Sequence, residues 1–252
     1  MTTLVADISN GRTKLALAEE GMLVSDVRIL PTPRLSAEAL RELCGDWQFE
    51  VSVVSSVVPE ACGALCEFAG ASGRVICLKA DSSLSVDFDS YPGASTLGAD
   101  RVANAVAAAH LHPAEALLVI DAGTATTMDV VLPATWQEEK PRFLGGAIAP
   151  GVGTMARALR QGTAQLPDIP LELPSHAVGQ GTVEALQNGC VRGYRGLLRE
   201  LAAAMEQECG CRLKPVLTGG DAPLLAELMP ELGEPNLLLT LRGIALCAEQ
   251  MK

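Results

Sequence analysis

The sequence predicts an α/β protein built from two copies of one unit, each running roughly three strands, helix, strand, helix. Three observations carry that prediction. Apolar runs of strand length alternate with helix-length segments, which is the order of an α/β chain rather than a sandwich. Hydrophobic residues fill 48% of the 252 positions and aromatics only 3%, with 24 glycines, so the core rests on Leu, Val and Ala. The opening of the chain also recurs: LVADISNGRTKLAL at 4–17 is answered by LVIDAGTATTMDVV at 118–131, with Asp7 and Asp121 114 positions apart.

The elements follow in order. A strand at 3–8, a turn over SNG, a strand at 12–18, a turn over EEG and a strand at 22–30 open the chain. Ser36 is placed to cap a helix with Glu38 in its first turn. EVSVVSSVV at 50–58 reads as a buried strand, Pro59 as the N1 proline of a helix, and RVICLK at 74–79 as a further strand. The loop DSYPGAST leads into LGADRVANAVAAAHLH, a helix with small residues on nearly every face. The second half restarts with strands at 116–121, 126–132 and 142–148. A helix at 151–161, a Pro-rich loop at 167–175 and a long helix at 181–208 come next. Strand 213–218, a helix from Asp221, a short strand near 236–239 and a helix at 240–250 close the chain. The boundary falls near Pro113, giving domains 1–113 and 114–252.

Composition excludes several classes of function. The formal net charge is −11 and Lys and Arg form no block, so neither nucleic acid nor an anionic membrane is an expected partner. No basic stretch leads into an apolar signal-like region at the start, and no uncharged apolar run reaches spanning length, so a cytoplasmic protein is expected. The eight cysteines form no CxxC, and the C-x-x-x-C at 62–66 and C-x-C at 209–211 have no nearby His. Scattered buried thiols are therefore expected rather than zinc or disulfides. His110, His112 and His176 lack ligand-like spacing and read as surface residues.

The repeated hairpin points to chemistry. Small turn residues let backbone N–H groups approach a phosphate, and Ser or Thr hydroxyls can donate to its oxygens. A carboxylate beside that phosphate needs a cation between them, so Asp7 and Asp121 imply cation bridging if phosphate binds here. Asp-Gly turns also occur in hairpins for backbone reasons alone. Two copies, each with the carboxylate at the strand end, favour the functional reading.

These loops resemble those of the acetate and sugar kinase, Hsp70 and actin superfamily, and further segments resemble the type III pantothenate kinases. The segments are Tyr91 with LGADRVANAVAAA at 97–109, DAGTATT at 121–127, GGAIAPGV at 145–152, TAQLP at 163–167, GTVEALQNG at 181–189 and LTGGDA at 217–222. They span essentially the whole chain in the family's order. The resemblance implies two ribonuclease-H-like lobes with an ATP cleft between them, and phosphorylation of pantothenate in coenzyme A biosynthesis. It implies that Asp7, Ile8, Ser9, Asn10, Gly11, Arg12, Thr13 and Lys14 form a first phosphate loop, with Asp7 near Mg2+. Asp121 would hold a monovalent cation, K+ or NH4+. Thr124 would contact ATP, and Gly219 and Gly220 would form the adenosine-side loop.

On the substrate side the resemblance makes Asp100 the general base and Gly98, Ala99, Asp100, Arg101, Tyr91 and Thr182 the pantothenate contacts. That chemistry is coherent. Transfer to a primary alcohol needs an in-line acceptor and a place for its proton, and Arg101 would donate to a carboxylate-bearing substrate. Asp100 could equally stabilise a helix N-terminus, and Thr182 could be a cap with Glu184 just inside. Tyr91 could simply pack on the core. The family also implies a homodimer, for which helices 97–109 and 181–208 offer small residues, unless both pack within their lobes.

The first loop departs from the family's usual D-I-G-N-T or D-I-G-N-S. Here it reads Asp7-Ile8-Ser9-Asn10-Gly11, with glycine and hydroxyl exchanged. A positive φ or close phosphate approach at position 9 would make Ser9 unfavourable; otherwise Gly11 supplies the freedom and Ser9 the hydroxyl. Pro92 follows Tyr91 directly, whereas Ala94 stands where the family often has proline. Two other functions stay in view: another small-alcohol kinase of the superfamily, and a non-catalytic nucleotide-binding regulator.

Overall fold

The computed structural model describes residues 1–58, 62–70, 73–135 and 137–251. The first sheet is built from β1 (Thr3–Ile8), β2 (Arg12–Glu19), β3 (Met22–Leu23), β4 (Arg28–Pro31), β5 (Val51–Ser56) and β6 (Arg74–Cys77), with helices α1 (Ala37–Cys44) and α2 (Cys62–Ala69) in the crossovers. Its order is β3-β2-β1-β5-β6, with β4 also on β2. β1 lies centrally and is buried throughout, antiparallel to β2 and parallel to β5, so Asp7 stands opposite both Lys14 and Ser55. Leu4, Ala6 and Ile8 point to one face of β1 and meet Leu40, Cys44 and Leu65 from the two helices. The Ser36 cap forms as expected, its hydroxyl accepting from the Ala39 amide at 3.1 Å.

The second sheet repeats the plan. It contains β7 (Leu117–Ala122), β8 (Ala125–Leu132), β9 (Arg142–Pro150) and β10 (Lys214–Thr218), in the order β10-β7-β8-β9. β7 runs parallel to β10 as β1 does to β5, and Asp121 stands opposite Thr218 as Asp7 does opposite Ser55. The internal repeat therefore extends to a hydroxyl residue on the neighbouring strand. Gly146 is required here: a Cβ would run into the Met128 carbonyl and the Asp129 Cα of β8.

The chain forms two compact units. One takes residues 1–115, 131–144 and 238–252, the other 116–130 and 145–237. The first crossing falls between Glu115 and Ala116, and the closing helix groups with the first unit. In that unit α3 (Ala99–Leu111), buried at nine positions including all of Val102–Ala109, packs on the closing helix Leu239–Gln250. At Gly243 a Cβ would strike the Ala103 backbone, so the helices meet at closest range through small residues. α3 is thus used inside its own unit rather than as a free face.

Four expectations are corrected. The strand at 22–30 is two short pieces, because Ser25 and Asp26 interrupt the ladder and the Ser25 hydroxyl, not a strand partner, receives the Leu17 amide. The short strand near 236–239 is a turn: Asn236 donates one bond to the Leu217 carbonyl and Leu239 already begins the helix. The long helix is three pieces in continuous right-handed conformation, α5 (Thr182–Gln187), a π-turn at Asn188–Arg192 and α6 (Gly193–Cys209). The thiols are not uniformly buried, since Cys66, Cys77 and Cys211 are exposed. Pro59 lies outside the described residues.

Candidate active site

The first phosphate-loop segment closes the β1–β2 hairpin through Ser9-Asn10-Gly11. The Ser9 amide and hydroxyl both donate to the Arg12 carbonyl, at 3.3 and 2.9 Å. Behind the turn, Thr32 donates its hydroxyl to the Ser9 carbonyl at 2.7 Å and its amide to Gly11, and shares a 3.0 Å bond with buried Thr13. Among the described non-glycine residues only Glu20 has a positive φ, so Ser9 sits in an ordinary conformation. No left-handed backbone is used at Ser9 or at Gly11, and the Ser9 hydroxyl closes its own turn. Asn10, Gly11 and Arg12 are exposed at the tip, while Asp7 is 6% exposed, Ile8 is buried and Thr13 faces inward.

The second segment turns through Gly123-Thr124 alone, one residue shorter, with the Gly123 amide donating to Ala125. The start of α4 (Val152–Gln161) braces it. The Gly151 amide and the Thr154 hydroxyl both donate to the Thr124 carbonyl, at 3.0 and 2.7 Å, and Arg157 holds Thr154. The Thr124 side chain stays exposed. Beside it, Gly219 has φ +105°, and a Cβ there would lie 2.5 Å from the Asp121 carboxylate. The Asp221 amide donates to the Ala122 carbonyl at 2.8 Å. Asp121, Thr124, Gly219 and Gly220 are therefore neighbours in one unit, drawn together by the parallel β7–β10 pair. Thr182, in the same unit, is the first residue of α5 and exposed; its cap is Gly181, and Glu184 reaches back to accept from the Gln180 amide at 2.8 Å.

In the first unit, α3 begins at Ala99 after Gly98, so Asp100 and Arg101 occupy its first turn. Asp100 accepts from the Arg101 amide at 2.8 Å, a bond that fixes its carboxylate at the helix N-terminus, where the dipole favours negative charge. Arg101 carries its guanidinium over the buried Phe143 ring, 5.7 Å from the centroid, and Tyr91 meets the same ring edge-on at 5.2 Å. The Tyr91 ring folds back over Gly93, where a side chain would collide with it. Gly98 and Ala99 line a cavity of about 540 Å³ shared with Val54, Cys62, Cys77 and Lys79. Phe143 was missed by sequence reasoning; no motif marks it, because a lone aromatic on a strand reads as core.

The family model for type III pantothenate kinases matches residues 3–204. Type III pantothenate kinases of Akkermansia muciniphila, Methylacidiphilum infernorum and Myxococcus xanthus are 39%, 36% and 33% identical to the chain. Those alignments cover 98%, 98% and 96% of it, and 98%, 88% and 95% of the relatives. The chain belongs to the type III pantothenate kinase family. Solved structures of more distant proteins agree on the fold. The ethanolamine utilization protein EutJ of Carboxydothermus hydrogenoformans aligns with TM-score 0.53 at 17% identity, over 98% of this chain and 89% of its own. An inorganic polyphosphate/ATP-glucomannokinase from Arthrobacter sp. strain KM aligns with TM-score 0.52 at 14% identity, over 100% and 99%. The two-lobed α/β fold expected from the sequence is thus that of this kinase.

Proposed function

We propose that the chain transfers the γ-phosphoryl group of ATP to the primary hydroxyl of pantothenate, giving 4′-phosphopantothenate, with Asp100 accepting the hydroxyl proton. The observation that carries this reading is the first turn of α3. It fixes a carboxylate through the Arg101 amide beside a cavity lined by Gly98 and Ala99, in a chain of this family. A base serves only if it is held within hydrogen-bond reach of the proton it takes, and a bonded carboxylate on a rigid helix meets that need. Arg101, steadied over Phe143, donates to the substrate carboxylate, and Tyr91 and Thr182 supply further contacts. Asp7 to Lys14, Thr124, Gly219 and Gly220 receive the nucleotide.

The residues present fit a bound cation. Asp121 and Asp7 are hard oxygen donors at strand ends beside the two turns, and among the described residues no three His, Cys, Asp or Glu cluster as a metal cage. A cation held by Asp7 or Asp121 would thus complete its shell from phosphate oxygens and water, as Mg2+ does at nucleotide sites. When bound, Mg2+ and K+ or NH4+ neutralise phosphate charge. The acting form is a cytoplasmic homodimer; no described helix is long and apolar enough to cross a membrane, and much of the surface of Thr182–Cys209 stays exposed. Another alcohol acceptor or a purely regulatory role is disfavoured, because the relatives just described are all named as pantothenate kinases.

The test is ATP consumption with a panel of alcohols, in K+ and in Na+. Pantothenate-dependent turnover that needs K+ is expected, with glucose and glycerol inert. Turnover with another alcohol but not with pantothenate, or nucleotide binding without any acceptor, would overturn the reading.

A further inference from the structure

Three cysteines stand together where α2 meets β6. The topology explains it: a helix linking two parallel strands starts at the end where those strands finish, so Cys62 at the head of α2 comes to lie by Cys77 at the tail of β6. Val75, two residues before Cys77 and on the same strand face, packs with Cys62 and Phe68 on the core beneath α2. Cys77 therefore faces the helix. Its thiol is pushed up from the ordinary value, first by the part of it that is covered and then by the neighbouring Cys62, with Cys66 raising and Lys79 lowering it further. Cys66 and Cys77 are solvent-exposed and Cys62 is half-buried, so small reagents reach the cluster. Cys62 and Cys77 also line the cavity that ends at Gly98 and Ala99.

We propose that Cys62 and Cys77 form a thiol–disulfide exchange site for small-molecule disulfides, and that closing this pair lowers the affinity of the adjoining cavity for pantothenate. The second half rests on Gly98 and Ala99 being part of the substrate strip. Helix geometry removes Cys66 as a partner for Cys62. Residues four apart on a helix hold their Cβ atoms about 5–6 Å apart, whereas a disulfide needs about 3.5–4.5 Å, so Cys62 and Cys66 cannot bridge without unwinding α2. Cys62 and Cys77 sit on different elements, so no helical spacing holds them apart, and both line the same cavity.

The reaction balances as two exchanges. A thiolate at Cys62 attacks one sulfur of the small disulfide, forming a mixed disulfide and releasing the first small thiolate, which takes up a proton. Cys77 then loses its proton and attacks the Cys62 sulfur, closing the protein disulfide and releasing the second small thiol. The two cysteines are oxidised by two electrons and the small disulfide is reduced by two. The new bond ties the head of α2 to β6, two walls of the cavity that Gly98 and Ala99 also line.

The experiment treats the intact protein with oxidised glutathione and reads two signals. Trypsin cuts at Arg74 and Lys79, so the peptide 75–79 holding Cys77 should appear, without reductant, linked to the peptide holding Cys62. In Cys77→Ser a glutathione adduct should persist instead, and Cys66→Ser should link as the natural chain does. The pantothenate KM should rise at least about threefold on oxidation and return with dithiothreitol, and a chain carrying both Cys62→Ser and Cys77→Ser should show no such rise on oxidation. Absence of the link, or an equal link in Cys62→Ser, overturns the exchange site. A full link with unchanged KM overturns its coupling to the cavity. Failure of the functional reading would show separately, as no pantothenate turnover before oxidation, while the link remains readable by mass.

Discussion

Adding one methyl group at Gly98 should silence the enzyme while leaving it folded. Gly98 has φ −58° and ψ 137°, a conformation alanine adopts freely, so the backbone is not strained. The new Cβ, however, would lie 2.5 Å from the Asp100 Oδ1. Carbon and oxygen rest no closer than about 3.3 Å, so the carboxylate must withdraw by about 0.8 Å or turn away from the Arg101 amide. On the stability side, the lost hydrogen bond costs about 1 kcal/mol and the poorer N-cap about as much again, offset by about 0.7 kcal/mol from a less flexible unfolded chain. The net loss is about 1 kcal/mol, a fall in Tm of about 2–4 °C for a chain of this size. On the catalytic side, a misplacement near 1 Å costs about 100-fold in rate, equivalent to about 2.7 kcal/mol of barrier. The assay pairs a thermal melt with pantothenate-dependent ADP formation. A variant that melts almost normally and turns over at the natural rate would refute the placement of Asp100 at the reacting hydroxyl.

Other substitutions should separate fold from site. Gly243→Ala drives a side chain into the Ala103 backbone, which cannot swing aside, and should cost about 3 kcal/mol and lower Tm by about 6–12 °C. Gly219→Ala combines a left-handed backbone, worth about 1–3 kcal/mol, with collision against Asp121, and should weaken ATP binding measured by titration calorimetry more than pantothenate binding. Tyr194 is buried and shares a 2.6 Å bond with Thr126; burial raises its phenol above the ordinary tyrosine value. The folded state therefore keeps this proton longer than the unfolded chain. Its contribution is complete below about pH 10 and is lost as pH rises through the folded value. Tyr194→Phe should lose about 1–3 kcal/mol at neutral pH and show a shallower decline in denaturation midpoint above pH 10.

The elements that sequence patterning located are those whose periodicity is long and uninterrupted. β1, β5, β7 and α3 are mostly apolar or small, and Ser36 caps α1 because its hydroxyl has an amide within reach. The strand at 22–30 was misjudged because alternation alone does not reveal that the Ser25 hydroxyl takes the place of a ladder partner. The repeated hairpin exposed Asp7 and Asp121, but not the Ser55 and Thr218 opposite them, since β5 and β10 reach those positions from 48 and 97 residues downstream. The Ser9 and Gly11 exchange could be posed from sequence, but that neither position uses a positive φ and that Ser9 bonds the Arg12 carbonyl needed the backbone itself. Phe143 and the Cys62–Cys77 approach depend on packing between distant segments and leave no local signature.

The central claim is that Asp100 takes the proton of pantothenate during phosphoryl transfer. A single-turnover experiment with enzyme in excess over ATP and pantothenate tests it, comparing Asp100→Asn with the natural chain and confirming by calorimetry that both ligands still bind. Asparagine keeps the shape and can still accept from the Arg101 amide, yet it cannot take a proton at neutral pH. The transfer step should slow by about 100- to 10,000-fold, the range expected for losing a general base, with affinities little changed. A transfer rate within about threefold of the natural chain would contradict the claim and leave Asp100 as a helix-terminal charge alone.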